Sequence, residues 1–109
     1  MPSRHDLLPG TLGLLILRTL ALEPMHGWAV ARRIQQSSRA TFQIPQGSLY
    51  PALYRLERQH LIRGDWRQSE TGRPAKFYSL TAAGRRRLEK ERAEWRRFRG
   101  AVDLVLEES

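Results

Sequence analysis

A chain of 109 residues has room for one domain with one appended element, and two full domains are excluded. Nineteen Lys and Arg against eleven Asp and Glu leave a net charge of +8, and 40% of the residues are apolar, which together exclude a disordered tail. Cysteine is absent, so there is no disulfide framework, thiolate metal site or cysteine nucleophile, and the expected compartment is a reducing one, the cytoplasm.

In chain order, Pro9 and Gly10 precede a first helix with Thr11 as its cap, and Glu23-Pro24 ends it. Eight of the eleven residues from 12 to 22 are apolar, which leaves no wet face on a helix, so it must be covered on both sides. A chain this small has little core left for the second side, and a second subunit is the expected cover, through Leu12, Leu15 and Ile16. Arg18 and Thr19 interrupt the run well short of the roughly 20 apolar residues of a membrane span.

A second helix starts near His26, where His26 serves as a cap or core-edge hydrogen-bonder. Gly27, Val30, Ala31 and Ile34 recur at helical spacing, while Arg32, Arg33, Gln35 and Gln36 face away. Ser37-Ser38 stops it, and Phe42 and Ile44 form an extended stub ending at Pro45. A third helix runs from about Gln46, with Pro51 expected in its first turn. Leu49, Leu53 and Leu56 form its buried stripe, leaving Gln46, Ser48, Tyr50, Tyr54, Arg55 and Arg58 on a polar face that carries aromatics and bases.

After His60 the period changes to two. Ile62, Gly64, Trp66 and Gln68 share one side of a strand, and Lys76, Tyr78 and Leu80 one side of another. Between them residues 69–74 form a projecting loop with Arg73, and Lys76 stands at its base. Thr81 caps the last helix by accepting the Gly84 N–H. That helix runs from Ala82 to about Leu106, roughly 38 Å, longer than a small domain is wide. Leu88, Trp95 and Val102 repeat every seven residues, and Phe98 and Val105 repeat three residues later, an a/d seam that seeks a partner subunit. Arg85, Arg86 and Arg87 read as a solvated face, with Arg87 paired to Glu91.

The charge is uneven. Residues 26–90 hold thirteen bases and only Glu57, Asp65, Glu70 and Glu89, a net of +9, while both ends are near neutral. Such a concentration is useful against a polyanion. The element order is that of a winged helix-turn-helix, mainly α (α+β), with a two-stranded wing and a C-terminal dimerisation helix. Residues 1–81 would form the winged domain and 82–109 the helix.

Three stretches carry a resemblance: LALEPMHGWAVARRI (20–34), GSLYPALYRLERQHL (47–61) and GRPAKFYSLTAAGRRRL (72–88) resemble the PadR family of transcriptional regulators, in particular its short members with one C-terminal helix. Gln59-His60 departs from the family, which often ends that helix with glycine, and Trp28 stands where Tyr is usual. The resemblance implies a homodimer on double-stranded DNA, repression as the usual outcome, and the third helix in the major groove. It makes Gln46, Ser48, Tyr50, Tyr54 and Arg55 the candidate DNA contacts, with Arg55 reading guanine or holding a phosphate. Arg73 and Lys76 would meet the minor groove or flanking backbone, and Arg32 and Arg33 would hold phosphates. Some relatives bind planar apolar effectors between paired C-terminal helices, which makes Trp95 the candidate ligand platform for a small hydrophobic effector.

Two other readings stay open: a sensor whose main role is hydrophobic-ligand binding, and a basic RNA-binding module. Tyr50 and Tyr54 would, on a plainer reading, cap the core with only their hydroxyls wet. Catalysis has little support, because His5, His26 and His60 are scattered and no phosphate loop or paired carboxylates occur. No cofactor, metal or membrane partner is expected.

Overall fold

The computed structural model describes residues 10–108. Its elements run α1 (Thr11–Leu22), β1 (Met25–His26), α2 (Gly27–Ser37), α3 (Gln46–Arg58), β2 (Ile62–Gln68), β3 (Pro74–Leu80) and α4 (Ala82–Leu106). The mostly helical fold holds one antiparallel sheet of order β1-β3-β2. The sheet has a third strand beyond the expected wing, since Met25 pairs with Tyr78 and His26 with Phe77. A two-residue strand has no period of its own, and its partner lies about fifty residues further along the chain.

One core unites every element. Ile16, Leu17 and Leu20 of α1 meet Val30 and Ile34 of α2, Leu49, Ala52, Leu53 and Leu56 of α3, and Ile62, Tyr78 and Leu88. The two polar interruptions of α1 are accommodated: Thr19 Oγ1 donates to the Leu15 carbonyl at 2.7 Å, and Arg18 stays exposed. Phe42 and Ile44, in irregular backbone, pack against the core edge.

Several expectations need correction. Ile16 and Leu88, expected at a subunit seam, are 0% and 2% exposed and lie in the chain's own core. Periodicity finds an apolar face but does not say which neighbour covers it, and here α1 and α4 cover each other. Thr11 is the first helical residue rather than the cap; Gly10 precedes it at φ 85°, a left-handed conformation glycine adopts without strain. Pro51 is not in the first turn of α3, since Pro45 is the N-cap and Pro51 lies six residues on. Its missing N–H leaves the Gly47 carbonyl without its usual donor. The wing ladder extends to the Gln68–Pro74 pair, so the loop is shorter than expected, residues 69–73. Along β2, burial ends after Gly64, and Trp66 is exposed because the hairpin runs out beyond the core.

Two local devices close the fold. At the end of α3 the Leu61 N–H bonds to the Leu56 carbonyl and the His60 N–H to the Glu57 carbonyl, both at 3.0 Å, a Schellman cap with His60 at φ 60°. This is the position where the resembled family often has glycine. Thr81 then caps α4 as expected: its Oγ1 accepts the Gly84 N–H at 3.0 Å and donates to the His60 carbonyl at 2.7 Å. Gly84 is buried against the Leu61 carbonyl, where a β-carbon would collide.

Beyond Leu88, α4 leaves the domain and stretches the longest dimension to 58 Å. Its outer apolar residues stay uncovered, Trp95 at 38%, Phe98 at 56% and Val105 at 70% exposed. Leu104 and Leu106 are also exposed and widen the apolar end beyond the heptad seam. Arg87 and Glu91 form the expected i,i+4 pair at 3.6 Å.

Candidate nucleic-acid interface

Helix α3 is amphipathic for a simple reason: Leu49, Ala52, Leu53 and Leu56 turn inward, and the residues between them must then face out. Gln46, Ser48, Tyr50, Tyr54, Arg55 and Arg58 are all exposed. The helix begins on the Pro45 carbonyl, which accepts the Ser48 and Leu49 N–H groups, so the polar face starts at its first turn. The Arg58 guanidinium sits 5.7 Å from the Tyr54 ring centre and donates to Tyr54 Oη at 3.3 Å. Among the described residues no carboxylate is within ion-pair distance of Arg55 or Arg73.

Helix α2 crosses α3 at a glycine. A β-carbon on Gly27 would stand 3.0 Å from Tyr50 Cε1 and 3.1 Å from Leu53 Cδ1, so only glycine permits this approach without displacing the ring. His26 is the cap of α2, its Nδ1 accepting the Ala29 N–H at 3.2 Å. Its ring stacks on Trp28 at 5.7 Å and meets the Phe77 edge at 5.4 Å, which ties the helix start to β3. Trp28 is 54% exposed with the Arg32 guanidinium 5.1 Å from its ring. Arg33 reaches Glu23 at 3.9 Å.

The wing projects beside α2. The Ser69 N–H bonds to the Arg73 carbonyl at 2.8 Å, the Gly72 N–H to the Ser69 carbonyl at 2.9 Å, and Gly72 takes φ 85°. Arg73 is exposed at the wing's end. Lys76 is differently placed: its Nζ donates to Glu57 Oε1 of α3 at 2.9 Å and lies 5.5 Å from the Tyr78 ring. That bond to Glu57 holds the Lys76 ammonium above its usual range, outweighing partial burial. Burial likewise raises the Tyr78 phenol, against the opposing pull of Lys76.

Between the start of α2 and the wing lies an open cleft of about 1040 Å³, with Tyr50 of α3 on its wall. Arg32, Arg33, Arg73 and Lys76, separated in the chain, all line it, together with Trp28 and Phe77. The candidates thus form two adjoining surfaces: Gln46, Ser48, Tyr54 and Arg55 on the outer face of α3, and the remainder around the cleft, with Tyr50 on the cleft wall. Trp28 was legible only as an aromatic on the second helix; nothing in its spacing placed it opposite the wing. A separate groove of about 300 Å³ lies between Thr11 and Leu14 of α1 and Glu91, Glu94, Trp95 and Phe98 of α4. No helix among the described residues is long and apolar enough to cross a membrane.

Residues 16–90 match the model of the transcriptional regulator PadR-like family. A transcriptional regulator of Mycobacterium tuberculosis is 37% identical over 77 residues, spanning 71% of this chain and 68% of its own. The crystal structure of a PadR family transcriptional regulator from Eggerthella lenta superimposes with a TM-score of 0.79 at 32% identity, over 92% of this chain and 85% of the other. A PadR-like transcriptional regulator from Bacillus cereus gives a TM-score of 0.80 at 28% identity, over 92% and 95% of the two chains.

Proposed function

The chain belongs to the PadR-like family of transcriptional regulators, and from that premise we propose that it is a homodimeric repressor that reads an inverted-repeat site in double-stranded DNA. The observation that carries the reading is the outer face of α3, where Gln46, Ser48, Tyr54 and the unpaired Arg55 are exposed together beside a basic wing. A helix of this width fits the major groove, and a side-chain set of amides, hydroxyls and Arg matches base edges and phosphates. With α3 so seated, one sugar-phosphate strand runs along the cleft between α2 and the wing. Arg32 and Arg33 hold its phosphates, Tyr50 packs against its sugars, and Arg73 reaches the minor groove or the backbone beyond.

Residues 1–81 serve as the DNA-binding unit and 82–109 as the dimerisation helix. The exposed Trp95, Phe98, Val102 and Val105, with Leu12 and Leu15 of α1, form the contact between subunits. The cytoplasm, where the DNA is, is the site of action. A second reading has one observation in its favour: the groove that Trp95, Phe98 and Leu14 line, beside Glu91 and Glu94, would admit a small planar effector against its two rings.

Selection of genomic fragments by the purified protein tests the proposal. The expected result is an inverted repeat with half-sites about 34 Å apart. Enrichment of single-stranded RNA over duplex would favour an RNA-binding module instead.

A further inference from the structure

Lys76 is the one base at the cleft that is anchored to the recognition helix. It lies opposite Trp66 in the wing ladder, and its side chain runs inward along β2 past Gly64 to Glu57. A β-carbon on Gly64 would collide with Lys76 Cε and stand 3.1 Å from Glu57 Oε2, so glycine at this position makes the path. The Tyr78 ring flanks it. Glu57 is in the last turn of α3, one turn after Leu53 and two residues beyond Arg55. A side chain of β3 is therefore fastened across β2 to the helix that carries the base-reading face.

We propose that Lys76 and Glu57 form a strut that sets the angle of the wing against α3, so that Lys76 is a positioning residue for DNA reading rather than a phosphate contact. The proposal rests on the reading of α3 and the wing as a joint DNA interface. Both side chains are about one third exposed, and an ion pair so placed adds little to folding stability. Its consequence is geometric. Past Gly64 every β2 residue is exposed, and β3 is held to the start of α2 by the Phe77–His26 pairing and ring contact; the Lys76–Glu57 pair is the ion-pair tie between the hairpin and α3 among the described residues. Two reading elements recognise one site together only if their separation is fixed before binding, since ordering them on the DNA lowers affinity.

The test compares Lys76→Met, Glu57→Gln and the reversed pair Glu57→Lys/Lys76→Glu with the wild type. Binding is measured to a duplex selected by the wild-type protein and to a random duplex, across a salt series. A nitroxide on Gln68→Cys, in a chain without native cysteine, reports the motion of the wing in each variant without DNA. Each single substitution should lower affinity for the selected site about tenfold, with random-duplex affinity within about twofold of wild type. The melting temperature should move by no more than about 3 °C and the salt slope by less than about 1. The nitroxide should become more mobile in the single variants. The reversed pair should restore both specificity and restricted motion. A reversed pair as weak as the single variants overturns the strut, as does a salt slope flattened by about 2 in Lys76→Met with nitroxide motion unchanged, which would make Lys76 a phosphate contact. If the wild type ignores duplex DNA altogether, the groove-reading function fails, and the nitroxide spectra alone decide the strut.

Discussion

Gly27 at the start of α2 lies against the Tyr50 ring of α3, with room for a hydrogen but not for a methyl group: a β-carbon would stand 3.0 Å from Tyr50 Cε1. The two helices of the reading motif are therefore spaced by one missing side chain. Gly27→Ala should push the Tyr50 ring outward and lower duplex affinity several-fold. The cost in stability should be about 1 kcal/mol, because Tyr50 is half exposed and its ring can yield. Thermal melts and a binding isotherm check both parts, and unchanged affinity would place Tyr50 outside the interface.

Gly84 behaves differently. In an exposed helix Gly→Ala stabilises by about 1 kcal/mol. At Gly84 the new methyl would meet the Leu61 carbonyl, which is backbone, and stand 2.7 Å from Leu80 Cδ1. Gly84→Ala should therefore destabilise by about 2 to 3 kcal/mol, as overpacking does in a core. Denaturant unfolding decides it: a stabilised Gly84→Ala would show that α4 is not seated on Leu61.

His60 is the opposite case. It holds φ 60° in the cap of α3, a conformation that costs a residue with a β-carbon about 1 kcal/mol more than it costs glycine. His60→Gly should raise the melting temperature by about 4 °C. His60 is outside the proposed DNA contacts, so duplex affinity should stay as it is.

These glycines show how much a sequence read alone reveals. The span of α4, its Thr81 cap and the inward stripe of α3 are local patterns, legible because helical spacing and a hydroxyl three residues before the N–H it accepts need no distant partner. The departure at Gln59-His60 was visible, though its meaning needed the dihedral angle. Pairings between distant residues were not legible. Met25 and His26 become a strand only because β3 lies beside them, and Lys76 finds Glu57 nineteen residues back. Ile16 and Leu88 were placed at a seam because an apolar stripe looks the same whether its own domain or a partner covers it. In the candidate interface, the residue types on α3 were readable, but the cleft that joins Arg32 to Arg73, and Trp28 on its wall, required the fold.

The exposed end of α4 leads to a prediction about assembly. Trp95 and Phe98 sit 5.8 Å apart, tilted against each other and open to solvent. The protein should scatter light as about 25 kDa, twice its chain mass of 12.7 kDa. Trp95→Ala with Phe98→Ala should shift it toward the monomer at micromolar concentration while α4 stays rooted through Leu88. A folded wild-type monomer under those conditions would contradict the dimer.

On the proposed function Arg55 and Arg73 act on one duplex, the first from α3 and the second from the wing. The most direct measurement is the salt dependence of duplex binding for wild type, Arg55→Ala and Arg73→Ala. For eight to ten phosphates neutralised per dimer, log K should fall against log salt with a slope of about −7 to −9. Arg73→Ala should make it shallower by about 1 to 2 and weaken all sequences alike, while Arg55→Ala, if it reads a base, should cost about 1 to 3 kcal/mol per half-site and relax one position. Both variants binding duplex with wild-type affinity and slope, and single-stranded RNA binding more tightly than duplex, would contradict groove reading by α3 and the wing.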